Sequence, residues 1–118
     1  MADIQALDAE LNRMILEGQA LDAFDKFYAA DVRMQENRDE PMIGHAANRA
    51  REVEFFGSIG KVHDFSIGKS AAFGDTSFSE WFMDVELKNG FRYQSAQVAR
   101  RVWQDGKVVD ERFFYNKG

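Results

Sequence analysis

A chain of 118 residues with 45% hydrophobic content, including eleven Phe, three Tyr and two Trp, can fill one hydrophobic core, so a single domain over 1–118 is expected. A net charge of -5 leaves no general cationic surface for neutralising phosphates, which argues against nucleic acid as a partner. The lack of cysteine excludes disulfides and thiolate chemistry; with no basic-then-apolar leader pattern and no apolar run near the roughly 18 to 20 residues of a membrane span, a cytoplasmic protein outside the membrane is expected.

Along the chain, Asp3 is placed to cap a first helix in which Ile4, Leu7, Leu11, Met14 and Ile15 share a face, and Gly18 is placed to end it. Leu21, Phe24, Phe27 and Tyr28 then repeat at helical spacing as far as Ala30-Asp31. There the period changes to two. Val32, Met34 and Glu36 alternate with Arg33 and Gln35, so a strand here points a carboxylate to the same side as two apolar side chains. Glu40-Pro41 imposes extended or turn geometry, and Gly44 opens a third helix expected to face its neighbours with Ala46, Ala50, Val53 and Phe56. Arg49, Arg51, Glu52 and Glu54 are expected on the solvated, ion-paired side of that helix.

From Lys61 onward, β-branched and aromatic residues come in runs of about ten separated by turn signals at Gly74-Asp75, Asn89-Gly90 and Asp105-Gly106, which predicts a meander of four long strands. The last two dipeptides are expected to take positive φ at both central hairpin positions. Trp81, Met83, Val85 and Leu87 form the more apolar parity of their strand and put Glu80 on the opposite face. In the next strand the parity is open, because Val98 and Val102 travel with Gln94 and Arg100 while Tyr93 and Trp103 travel with Gln97 and Arg101. Apolar residues on both sheet faces suit a sheet-to-sheet homodimer. Three helices followed by a meander make an α+β domain.

The order helix, Gly, helix, "FYAADV", polar loop, "GHAANRAREVEFF" and a meander ending "DGKVVDERFFYN" resembles the nuclear transport factor two-like superfamily, most closely its SnoaL-like proteins. The resemblance covers nearly the whole chain. It implies a cone-shaped roll, with three N-terminal helices on the concave face of a curved, mixed but mostly antiparallel sheet, a pocket between them, and commonly a homodimer. The superfamily hosts isomerases, cyclases, dehydratases, hydrolases and binding modules, so the fold alone does not fix the activity.

Alignment of "YAADVRMQEN" with ketosteroid isomerase, a member of that superfamily, places Glu36 at or near its carboxylate base, and a carboxylate that loses hydration on an apolar strand face is a better base toward carbon acids. The isomerase's two oxyanion donors are missing: Leu11 and Asn12 stand nearest the helical tyrosine, and Ala96 and Ala99 nearest the late-strand acid. Steroid isomerisation by that mechanism is therefore not expected. The expected site has Glu36 as catalytic base, Met34, Trp81 and Phe113 as walls, Tyr115 or Gln97 as hydrogen-bond donor, and Asn37 and Arg112 as further ligand contacts. Competing structural roles are Glu36 ending its strand in solvent or pairing with Arg38 or Arg112, Asn37 as a turn residue, and His45 and His63 as surface residues. Two histidines without ligand spacing predict no metal, and no phosphate loop, nucleophile elbow or dinucleotide fingerprint calls for a cofactor. The function expected is that of a small-molecule pocket protein, acting as lyase, isomerase or cyclase on an apolar carbonyl or ring compound. The alternatives are a non-catalytic binding module, or a dimeric scaffold with a vestigial pocket.

Overall fold

The computed structural model describes residues 3–116. Asp3 caps α1 (Ile4–Leu16) by accepting from the Ala6 amide, and Gly18 at φ +82° makes the left-handed exit that the sequence predicts. The second helix, α2 (Ala20–Phe27), ends three residues before the expected Ala30-Asp31 boundary. Tyr28 instead enters β1 (Tyr28–Glu36) opposite Val108, and its ring stacks on Phe24 with centroids 4.3 Å apart. An i,i+4 aromatic contact mimics helical spacing in the sequence; strand pairing decides the backbone. The loop holding the single proline leads into a two-residue strand, β2 (Met42–Ile43), which the sequence pattern did not signal.

Gly44, at φ +106°, opens α3 (His45–Gly57). Of the face expected for this helix, only Phe56 turns inward. Ala46, Ala50 and Val53 are exposed, Val53 by 43%, whereas Asn48 is fully buried and Arg51, Glu52 and Phe55 turn inward. Asn48 Nδ2 donates to the Met42 and Gly44 carbonyls at 3.0 and 2.9 Å, so this polar side chain enters the interior already hydrogen-bonded. That tether rotates the helix and carries Glu52 inside.

The remaining strands are β3 (Ile59–Phe73), β4 (Thr76–Leu87), β5 (Arg92–Gln104) and β6 (Lys107–Phe114), the meander anticipated. With β1 and β2 they make one six-stranded sheet in the order β2-β1-β6-β5-β4-β3, antiparallel throughout except for the parallel β1–β6 pair. Asp105 and Gly106 both have positive φ, at 53° and 78°. At the β4–β5 connection only Gly90 does, because Lys88–Phe91 form a four-residue loop in place of the expected two-residue one.

Register shifts after Ile59, Val62 and Ile67 in β3 curve the sheet. In the last of these, Gly68 lets Glu80 fold over the strand: an added Cβ would meet the Glu80 carboxylate at 2.9 Å, where that carboxylate accepts from the Lys69 amide. The concave face packs on α1 and α2 through Leu11, Ala23, Phe24, Phe27, Val32, Met34, Trp103 and Val108. The architecture is an α+β roll. Among the described residues no helix is long and apolar enough to cross a membrane.

Candidate functional site

The alternation in β1 and β4 resolves as the sequence suggests. Val32 and Met34 are buried and Glu36 points the same way, while Ser77, Ser79, Trp81, Met83 and Val85 turn inward with Glu80 outside. The open parity of β5 is settled by burial: Tyr93, Gln97, Ala99, Arg101 and Trp103 take the concave side.

These side chains, together with the inner face of α3, enclose a cavity of about 230 Å³. Its walls are Leu11, Ile15, Phe55, Phe56, Phe65, Trp81, Met83, Tyr93 and Phe113, with Phe65 packed on Trp81 and Phe55 edge-on to Tyr93. Such a volume has room for a small apolar ring compound.

One side of the cavity is a buried polar network. Arg101, 2% exposed, donates from Nε to Glu111 Oε2 at 2.7 Å and from Nη1 to Asp8 Oδ1 at 2.8 Å and Asn12 Oδ1 at 2.6 Å. The Tyr28 hydroxyl donates to the same Glu111 oxygen at 2.6 Å, and Ser77 Oγ, itself receiving Trp103 Nε1, donates to Asp8 Oδ1 at 2.8 Å. Tyr28 ionises well above the ordinary range, because it is desolvated and lies against the Glu111 carboxylate. Tyr28, Arg101 and Glu111 all line the cavity.

The other carboxyls sit in two environments. Glu36 accepts the Tyr115 hydroxyl at 3.0 Å, and burial together with Glu36 pushes that phenol's ionisation up. Glu52, on α3, has no hydrogen-bond partner for its carboxyl among the described residues. Desolvation, followed by repulsion from Glu111 and Glu36 and opposed by Arg51, pushes its pKa from the ordinary 4.5 to about 7. Near neutral pH, the cavity therefore contains a carboxyl that its surroundings hold partly in the neutral, protonated form.

Of the residues expected at the site, Glu36, Trp81, Gln97 and Phe113 line the cavity, and Tyr115 reaches it through Glu36. Met34 does not: at 1% exposure it belongs to the core beneath, packed with Leu11 and Trp103. Asn37 is a turn residue, at φ 51°. Its side chain receives the Tyr115 amide at 2.8 Å, its amide donates to the Phe113 carbonyl and its carbonyl accepts Arg112 Nε. Arg112 has the parity of Phe114, over whose ring it lies on the convex face, so it cannot meet a ligand in the cone. The histidines are surface residues, His45 near Asp25 and His63 against Glu86 at 2.9 Å. Sequence reasoning missed Glu52, assigned to the solvated side of its helix, and Arg101, whose parity was open. The available signal for Glu52 was its i,i+3 and i,i+4 spacing to Phe55 and Phe56.

Residues 3–115 match the family model of the SnoaL-like domain. No curated protein matches the chain. Among solved structures, it is similar to a candidate SnoaL-like polyketide cyclase from Mesorhizobium loti, with 23% identity over 97% of this chain and 100% of that one and a TM-score of 0.86. A second such candidate, from Jannaschia sp. CCS1, superposes with a TM-score of 0.81 at 12% identity, covering 98% and 90% of the two chains. A protein of ketosteroid isomerase-like fold from Catenulispora acidiphila, in complex with trimethylamine, is similar over 82% of this chain and 75% of that one, at 16% identity and a TM-score of 0.68.

Proposed function

The chain belongs to the SnoaL-like domain family, and we propose that its cavity takes a small apolar carbonyl compound and moves a proton within it, with Glu36 as base and Glu52 as acid. The observation that carries this reading is the placement of two carboxyls on one aromatic-walled cavity in different environments, Glu36 held by a phenol and Glu52 unpartnered. A carboxyl whose surroundings favour its protonated form, on the same cavity as one that accepts a phenol's hydrogen bond, allows the tasks of giving and taking a proton to be divided. In the proposed step, Glu36 removes a hydrogen α to the carbonyl. Glu52 returns a proton to the γ carbon in an isomerisation, or to a departing hydroxyl in an elimination. Solvent exchange then restores both groups.

The test is deuterium uptake at C2 of 1-indanone in D2O, followed by proton NMR with wild type, Glu36→Gln and Glu52→Gln. Exchange above the buffer-catalysed rate that falls at least tenfold in Glu36→Gln supports the reading; exchange equal to the buffer control in wild type overturns it for this class of ketone.

A second reading, a binding module without chemistry, is favoured by the acidic groups among aromatic walls, which also suit a small organic cation; the Catenulispora neighbour holds trimethylamine. Binding of trimethylammonium without exchange of any ketone would select it. We further propose a homodimer through the convex face. Phe78, Phe82, Val98 and Phe114 are exposed there on adjacent registers of β4, β5 and β6. Sedimentation equilibrium tests this: a 13.5 kDa species at micromolar concentration would exclude a stable dimer.

A further inference from the structure

Arg101 is enclosed on almost every side, yet its hydrogen bonds use only part of its guanidinium. Nε and Nη1 are taken by Glu111, Asp8 and Asn12, whereas Nη2 has no acceptor among the described residues. Arg101 lines the cavity although its side chain is only 2% exposed, so the nitrogen without an acceptor is the one left for a ligand there. A guanidinium remains charged over the whole accessible pH range, so this is a permanent, immobile donor. Asp8 and Glu111 together carry one more negative charge than Arg101 supplies, and across the cavity Glu36 and, above neutral pH, Glu52 outnumber the one further cation, Arg51. The surroundings therefore favour a neutral acceptor and disfavour an anion, even though an arginine is the donor.

We infer that Arg101 Nη2 is the docking point for the carbonyl oxygen of a neutral ligand, and that the site discriminates against carboxylates of the same shape. The inference rests on the carbonyl reading given above and assigns the end of the cavity at which the oxygen sits. With the oxygen on Arg101, negative charge that develops as the α-hydrogen leaves falls next to a fixed cation, as electrostatic stabilisation of an enolate requires.

The test compares binding of 1-indanone, indane and indane-1-carboxylate at pH 8 by ligand-observed NMR, together with the side-chain ¹⁵N resonances of arginine-labelled protein. The expected result is roughly ten- to hundredfold tighter binding of 1-indanone than of indane, the range for one hydrogen bond to a charged group. The carboxylate should bind at least tenfold more weakly than the ketone, and one Arg Nη resonance, assigned to Arg101 because it persists in Arg51→Lys, should shift with the ketone only. Arg101→Lys, if folded, should lose the ketone-over-indane preference; if it does not fold, the wild-type ¹⁵N shift carries the test. Equal binding of ketone and indane overturns the docking role while leaving a small-molecule pocket intact. Preferential ketone binding without C2 exchange upholds the docking role and removes the proton-transfer reading. Tightest binding of the carboxylate overturns the charge argument, and failure of all three probes to bind overturns both.

Discussion

Glu52→Gln removes one ionisation from the cavity while keeping the side chain's size, so its effect on stability should depend on pH in a way that reports the site. A carboxyl at about 7 in the folded protein and near 4.5 when unfolded is ionised in both states at high pH, where folding works against its desolvation. Each unit of separation corresponds to about 1.36 kcal/mol, so the difference between 4.5 and about 7 sets a penalty of about 3 kcal/mol above pH 8. The sign follows from the raised value. Below the unfolded value the acid is neutral in both states and there is no penalty; the penalty grows as pH rises from about 4.5 to about 7 and is complete above that. Glu52→Gln should therefore unfold at higher denaturant than wild type at pH 8.5, by an amount that shrinks steadily and vanishes near pH 4. Urea denaturation followed by tryptophan fluorescence, at pH 4, 6 and 8.5 in constant salt, measures it. A Glu52→Gln effect that is constant across these pH values would refute the electrostatic account of the cavity.

Other perturbations test the frame around it. Arg101→Met leaves Asp8 and Glu111, each no more than 5% exposed, without their cation and should lower unfolding stability by about 3 to 5 kcal/mol; a loss below ~1 kcal/mol in urea denaturation would contradict a load carried by that network. Asn37→Ala keeps a Cβ in the left-handed region without the side-chain hydrogen bonding by which Asn tolerates it, and removes the acceptor for the Tyr115 amide, a loss of about 2 kcal/mol, whereas Asn37→Gly, which relieves the Cβ clash, should lose only about half as much. Equal losses in the two variants would show that conformation is not the cause. Gly106→Ala, at φ 78° in the β5–β6 turn, should lower the thermal midpoint through a cost of about 1 to 2 kcal/mol; an unchanged midpoint would contradict a strained turn.

How much was legible depended on whether local pattern and tertiary packing agreed. The first helix, the β1 alternation and the Asp105-Gly106 hairpin were readable because capping, period and turn chemistry act over a few residues. The third helix was not, because Asn48 finds backbone acceptors in the preceding turn, and satisfying that buried amide outweighs the apolar stripe of Ala46, Ala50 and Val53. The same rotation hid Glu52. Arg101 was hidden for a related reason: a charged residue in a strand of mixed parity reads as exposed unless its partners are known, and Asp8 lies 93 positions away in the chain. Met34 and Arg112 were misplaced relative to the cavity because parity indicates a face of the sheet but not the depth along it, and in β6 the inward positions fall on Glu111 and Phe113.

The most direct measurement is a crystal structure of the protein grown with 1-indanone. The ligand's rings should lie among Phe55, Phe65 and Trp81, with its α-carbon about 3 to 3.5 Å from the Glu36 carboxylate and Glu52 facing it across the cavity. A cone filled by its own Phe and Met side chains, with Glu36 and Glu52 turned to solvent, would contradict the acid–base site and move attention to the convex aromatic face.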